Sequence, residues 1–242
     1  MNVLVLGGSK GLGKASAKKF ILEGYNVYVA SRTKPGFIAD SNYIKVDLKS
    51  IQSVKEALKK VEDVDFDILI NNSGGPESKP FEEVDESEFL QEMQSHLISF
   101  HLFSKNVVKN MKQKKFGRII NIVSVTANNP LPNMLVSNTL RGAVINWAKT
   151  LSKELGVFNI TVNNVLPGYT ETERLSEVVN AVAKKNKTTN ETIRENLIAE
   201  IPMNRFGKPS EFAECVYFLS TDKGSYINGQ SISVDGGWTS CI

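Results

Sequence analysis

The sequence predicts a doubly wound α/β fold, one parallel sheet with helices on both faces, from three observations. Short β-branched runs alternate with longer helical patterns along the whole chain. Most of those runs are apolar on consecutive residues, as strands covered on both faces must be. The first run leads straight into a glycine-rich turn that opens a helix.

Seven strands are predicted in order, over residues 3–6, 27–30, 43–46, 68–71, 119–123, 161–165 and 231–234. Helical patterns fill the intervals at 14–23, 54–61, 89–111, 140–155 and 209–219. Gly24 stops the first helix, and Ser210-Glu211 opens the last. No Pro/Gly/Ser-rich linker or internal repeat divides the chain, so residues 1–242 read as one domain. The β-α alternation implies right-handed crossovers.

The rhythm breaks once. After Pro167-Gly168, residues 171–208 hold no strand pattern, but Leu175, Val178, Val179 and Val182 recur on one helix face. A helix pair packed on the surface accounts for this. So does a substrate lid, which is the favoured reading because the segment follows a strand C-terminus, where α/β sheets bind ligands.

Composition excludes several classes. Hydrophobic residues make up 41% of the chain and charged residues 23%, which suits a packed core rather than disorder. A net charge of +3, with no run of five basic residues, gives no case for a nucleic-acid partner. No apolar run is long enough for a membrane span, and the N-terminus has no basic region before its apolar residues, so a cytoplasmic protein is expected. Cys215 and Cys241 match no metal or redox spacing, and two histidines without a carboxylate cluster suggest no metal site.

The first strand runs into Gly7-Gly8-Ser9-Lys10-Gly11-Leu12-Gly13. Glycines permit a tight turn and let backbone approach a pyrophosphate, while the helix N-terminus offers free N–H groups and partial positive charge. The second strand ends Ser31-Arg32. An acidic residue here would hold a ribose 2′-hydroxyl; arginine instead accommodates a 2′-phosphate. With Lys10 a second cation nearby and Ser31 a small donor, the expected cofactor is NADP.

Further motifs follow: Asp47-Leu48, Asn71-Asn72-Ser73-Gly74, Gly117 to Ile122 with Ser124, Pro167-Gly168, and Tyr226-Ile227-Asn228-Gly229-Gln230 with Asp235-Gly236-Gly237. In this order and spacing the whole chain resembles the short-chain dehydrogenase/reductase family, a Rossmann-fold family, and most of all its 3-oxoacyl-acyl-carrier-protein reductases. The resemblance implies a seven-stranded sheet. It puts Asp47 and Leu48 at the adenine, Asn71, Asn72, Ser73 and Gly74 near the cofactor, and Pro167, Gly168 and Thr172 along the nicotinamide side. It implies a small carbonyl or alcohol substrate and a homo-oligomer, tetramer or dimer, built through the helices over 89–111 and 137–155. Phe100, Leu102, Phe103, Val107, Ile145 and Trp147 are available for that interface or for burial within one subunit.

The family's Asn-Ser-Tyr-Lys tetrad is not intact. Ser124 stands at the serine position, Ser137 where the tyrosine belongs, Arg141 at the lysine position and His96 at the asparagine position. No tyrosine occurs between Tyr43 and Tyr169, so no register shift restores one. Serine is a far weaker acid than a phenol of pKa about 10. Arg141 can hold a ribose or phosphate but cannot relay a proton. Ser137-Asn138-Thr139-Leu140-Arg141 and Asn72-Ser73-Gly74-Gly75-Pro76 resemble a reductase-like side branch of the family. His96 titrates in a useful range, although a single histidine on a long helix is more often a packed residue. Tyr169 is a second candidate acid that would otherwise line the pocket. The expectation is an NADP-dependent oxidoreductase with an atypical site, the alternative a non-catalytic NADP-binding protein.

Overall fold

The computed structural model describes residues 1–240; Cys241 lies outside the described residues. Strands β1 (Asn2–Leu6), β2 (Asn26–Ser31), β3 (Tyr43–Lys45), β4 (Ile68–Asn71), β5 (Gly117–Ile122), β6 (Ile160–Pro167) and β7 (Ser231–Val234) form one sheet. Its order is β3-β2-β1-β4-β5-β6-β7, parallel throughout. The order reverses between β1 and β4, where α/β sheets open a crevice at their strand C-termini.

The eight α-helices are α1 (Gly11–Leu22), α2 (Ile51–Val61), α3 (Glu86–Met93), α4 (Ser99–Lys114), α5 (Leu135–Leu155), α6 (Glu173–Asn186), α7 (Asn190–Ala199) and α8 (Pro209–Ser220). Alternate residues of each strand feed opposite cores, which is why the runs are continuously apolar. Leu4, Leu6, Leu69 and Ile119 face a core completed by α2, α4 and α5. Val3, Val5, Ile68 and Ile70 face the other, completed by Ala17 and Phe20 of α1 and Phe212 and Val216 of α8. Phe20 and Phe212 are fully buried, each contributing roughly 1.5–3 kcal/mol. Among the described residues no helix is long and apolar enough to cross a membrane.

Three expectations need correction, and one left open is narrowed. The helix expected over 89–111 is two helices joined by a π-helical turn, Gln94–Ile98. One extra residue in that turn shifts the apolar stripe, a change that periodicity averages away. The first helix begins at Gly11 instead of residue 14, because the glycine loop itself forms its first turn. In α6, Leu175 and Val179 are buried but Val178 is exposed; Ala183 completes the face instead. Of the six apolar residues offered for an interface, Phe100, Phe103 and Val107 are buried inside the subunit. Leu102, Ile145 and Trp147 remain half-exposed on α4 and α5.

Candidate active site

The glycine loop fits a phosphate-bearing cofactor. Gly7 adopts φ +61° and donates its N–H to the Ala30 carbonyl, so β1 turns sharply at its end. A Cβ on Gly13 would lie 2.4 Å from the Gly7 carbonyl oxygen and 2.6 Å from Asn72 Nδ2, so only glycine lets α1 pack this close. Asn72 Nδ2 donates to that same Gly7 carbonyl at 3.0 Å, tying β4 to the loop. No side chain caps the N-terminus of α1, and no acidic residue sits in its first turn. Its first N–H groups and positive dipole end are therefore left for an anion. Ser9 and Leu12 are partly buried around this turn. The Ser73 hydroxyl is buried with no partner among the described residues.

Past β2, Arg32 is exposed and Lys10 likewise, neither with an ion pair among the described residues. Both charges are free for a 2′-phosphate. Ser31 differs from expectation: it is buried, and its hydroxyl donates to the Thr33 carbonyl at 2.9 Å. Asp47 Oδ1 accepts the Lys49 N–H at 3.1 Å, and the Leu48 carbonyl accepts from the Ser99 hydroxyl at 2.9 Å. The loop after β3 is thereby pinned to the end of the π turn.

Across the central strands, four polar side chains form a ladder of which sequence reasoning singled out only Asn71. Asn71 Nδ2 donates to Asn121 Oδ1 (2.8 Å), Asn121 Nδ2 to Asn164 Oδ1 (2.9 Å), and Asn164 Nδ2 to Ser231 Oγ (3.0 Å). These residues are in register across β4, β5, β6 and β7. The Asn repeated within three otherwise apolar strands was the available signal.

Above this floor, Ser124 follows β5. Its Oγ accepts from the Thr126 N–H at 3.2 Å and the Thr126 hydroxyl at 3.0 Å, so its own proton is free to donate. Ser137 and Arg141 lie one turn apart near the start of α5, Arg141 Nε donating to Ser137 Oγ at 3.4 Å. Arg141 Nη1 donates to the Ile122 carbonyl at 3.5 Å and to the Val123 carbonyl. Arg141 Nη2 makes no hydrogen bond among the described residues and lies 3.5 Å from where a Cβ of Gly75 would be. Arg141 and Ser137 are thus brought together at the C-terminus of β5, Arg141 on the carbonyl that precedes Ser124.

His96 is brought near but not into the open. Its ring is 2% exposed, so it does not face a cleft as a substrate acid would. Nδ1 lies 3.2 Å from Glu92 Oε2 and 2.9 Å from Ser95 Oγ, while Nε2 is buried without a partner among the described residues. Burial holds its pKa below the usual value; Glu92 opposes the shift and Arg141 adds to it. Glu92, equally buried, also pairs with Lys49 Nζ at 2.7 Å. Burial alone would raise the Glu92 carboxyl, but His96 and Lys49 pull it down to about 2. Burial lowers Arg141 to about 10, the Glu92 charge resists, and the nearby Arg174 charge lowers it further. Arg141 therefore stays charged at neutral pH. Glu92 and Lys49 were not singled out from sequence; Glu and His four apart on one helix were the visible hint.

Pro167 ends β6. Gly168 lets that strand approach Asp235, whose Cβ would lie 2.6 Å from a Cβ on Gly168. Thr172 caps α6, accepting the Leu175 N–H, and sits against Gly11. Gly74 is exposed with open space around it. Tyr169 packs edge-to-face against Trp238 (centroids 5.2 Å) and tilted against Phe206 (6.3 Å), and burial, then the charge of Glu200, raise its pKa. A pocket of about 500 Å³ opens between α1 and the 171–208 segment, but Ser124, Ser137 and Arg141 do not line it.

The family profile described as "Enoyl-(Acyl carrier protein) reductase" matches residues 7–239. The NADPH-dependent reductase BacG of Bacillus subtilis is 32% identical, over 96% of this chain and 95% of its own. The 3-oxoacyl-[acyl-carrier-protein] reductase FabG of Haemophilus influenzae is 31% identical, over 97% and 96%. Among solved structures, YwfH, an NADPH-dependent reductase involved in bacilysin biosynthesis, superposes with TM-score 0.90 at 30% identity, covering 100% of this chain and 99% of that one. L-sorbose reductase from Gluconobacter frateurii, solved with NADPH and L-sorbose, gives TM-score 0.92 at 25% identity, covering 100% and 97%. A glycine cradle that fits a dinucleotide, a seven-stranded sheet and relatives matched end to end agree, and the chain belongs to the short-chain dehydrogenase/reductase family.

Proposed function

We propose that the chain reduces a carbonyl compound with a site that has lost the family's tyrosine and lysine, Ser124 and Arg141 carrying the work at the oxygen. NADPH, when bound, supplies the hydride. Gly7, Ser9, Gly11, Leu12 and Gly13 hold its pyrophosphate; Lys10 and Arg32 face the 2′-phosphate, with Ser31 shaping the turn between them. Asp47 and Leu48 border the adenine, Asn72, Ser73 and Gly74 the ribose side, and Pro167, Gly168 and Thr172 the nicotinamide.

The observation that carries the reading is the free proton of Ser124 together with the Arg141 guanidinium held on the carbonyl of the preceding residue. Thr126 saturates Ser124 as an acceptor, so its hydroxyl donates outward. Arg141, anchored to the carbonyl of the residue just before Ser124, adds a full positive charge where negative charge develops on the substrate oxygen. Fixed donors and charge aimed at a forming oxyanion lower the barrier without proton transfer in the same step. The proton then comes from water. Ser137 keeps Arg141 aligned, and His96 acts through the Glu92 pair beneath that charge, not by touching substrate.

Residues 171–208 act as the lid. They carry a small core of their own, Leu175, Val179, Ala183, Ile193, Ile201 and Phe206, and reach across to the loop after β4 where Arg174 donates to the Pro76 carbonyl at 2.8 Å. A homodimer or homotetramer through α4 and α5 would use Leu102, Ile145 and Trp147. A cytoplasmic site of action fits this reading. The test is NADPH oxidation by purified protein over a panel of ketones and oxo acids. Carbonyl-dependent turnover supports the reading, and tight NADPH binding with no turnover favours the non-catalytic alternative.

A further inference from the structure

Two guanidinium groups converge on one short loop of the site. Arg141, on α5, presents its unbonded Nη2 to Gly75. Arg174, in the first turn of α6, donates Nη2 to the carbonyl of Pro76, the next residue. Adjacent Cα atoms are 3.8 Å apart, so both charges bear on the same few ångströms of space. The Arg174 charge is close enough to help lower the pKa of Arg141. Placing like charges together is costly unless an anion joins them.

The carboxylates nearby do not fill that role. Glu92 lies behind Arg141 and is held by Lys49 and His96. Glu177 meets Arg174 at 3.4 Å as an exposed i,i+3 pair, with side chains 51% and 66% exposed. Such a pair is weak and water-screened. Nor are the cofactor phosphates the natural partners. Those belong to the glycine loop and to Arg32 at the end of β2, whereas Arg141 is anchored on the end of β5. In the sheet order three strand spacings separate β2 from β5, roughly 14 Å.

We propose that Arg141 and Arg174 form a carboxylate clamp, so the substrate is an anionic oxo compound, an oxo acid whose carboxylate bridges the two guanidiniums with its carbonyl at Ser124. The clamp rests on the reductase reading above for its carbonyl, but not for its anion. Arg141 is fixed by β5, while Arg174 arrives on the lid, so binding the carboxylate draws the lid onto the 74–76 loop. Arginine suits this role, since its planar fork matches a carboxylate in two hydrogen bonds.

The test pairs 2-oxo and 3-oxo acids with their own methyl esters as substrates for NADPH oxidation, in wild type, Arg174→Gln, Arg174→Lys and Arg174→Glu. Arg174 is half-exposed, so these variants are expected to fold, which circular dichroism checks. In wild type the acids exceed their esters in kcat/KM. In Arg174→Gln that ratio falls roughly tenfold or more, mainly through KM. Arg174→Lys restores part of it, and Arg174→Glu inverts it. A second arm measures oxamate and methyl oxamate binding to the protein with NADP by calorimetry, which needs no turnover. Oxamate is expected to bind more tightly than its ester, and to weaken with Arg174→Gln. Esters reduced as well as acids would overturn the clamp while leaving the reductase reading intact. No turnover of either, with oxamate binding that depends on Arg174, would overturn the reductase reading and keep the clamp. Oxamate binding no tighter than methyl oxamate, or indifferent to Arg174, overturns the clamp in either case.

Discussion

Arg141 of α5 donates to the main-chain carbonyl of Val123, the last residue before Ser124, so helix and strand are joined where the reaction would occur. That bond fixes a permanent charge next to a serine whose proton is free. In the proposed function this arrangement substitutes for the missing phenol, with charge stabilisation in place of proton donation.

Restoring the family pattern tests this substitution. General acid catalysis typically contributes 10²–10⁴-fold. Ser137→Tyr with Arg141→Lys is therefore expected to raise NADPH-dependent reduction of neutral ketones, by at least about tenfold. Steady-state kinetics on uncharged ketones reads it; an unchanged rate argues that the tyrosine's role is fully covered already.

Cofactor choice rests on Lys10 and Arg32. A hydrogen bond to a charged group contributes roughly 1.5–3 kcal/mol, or about ten- to a hundredfold in affinity. Arg32→Asp should lose that much NADPH affinity and prefer NADH, with an unchanged melting temperature because Arg32 is exposed and unpaired among the described residues. Fluorescence titration of both cofactors measures it, and equal affinities in wild type would refute the assignment.

Gly13→Ala places a methyl group 2.4 Å from the Gly7 carbonyl oxygen. Backbone cannot yield there without separating α1 from β1. The expected outcome is a cost of about 1–3 kcal/mol, the usual range for forcing extra carbon into packed structure, and loss of NADP binding. Urea denaturation and cofactor titration follow the two effects separately.

Glu92 and His96 predict acid sensitivity. Glu92 is held near pKa 2 in the fold, against about 4.5 free, so it stabilises above pH 4.5 and that contribution is lost as pH falls toward 2. The size is about 3 kcal/mol. His96 is depressed in the fold, so the unfolded chain takes up its proton first, and stability begins to fall as pH drops through 6.5. Glu92→Gln should be less stable at pH 7 and show a flatter acid limb between pH 4.5 and 2. Urea midpoints at several pH values check this; parallel pH profiles for the two proteins would contradict it.

Much of this was legible in the sequence, for identifiable reasons. Strands such as 68–71 stood out because both faces are buried, leaving no polar residue to interrupt Ile68, Leu69 and Ile70. The glycine loop was legible because its chemistry demands glycine. The start of α5 was placed five residues late, since Leu135 to Thr139 show no apolar periodicity of their own. The split at His96 was hidden because a π turn keeps helical composition while changing the period. The Lys49–Glu92 pair and the convergence of Arg141 with Arg174 join residues distant in sequence, and only the folded sheet makes them neighbours.

The most direct measurement is kcat of Ser124→Ala for NADPH-dependent reduction of the best substrate found, with NADPH affinity measured alongside. Removing one donor to a developing oxyanion typically costs 10²–10³-fold. The account predicts a loss of that order in kcat with NADPH affinity essentially unchanged. A variant that retains wild-type kcat would contradict the role of Ser124 and, with it, the proposed site.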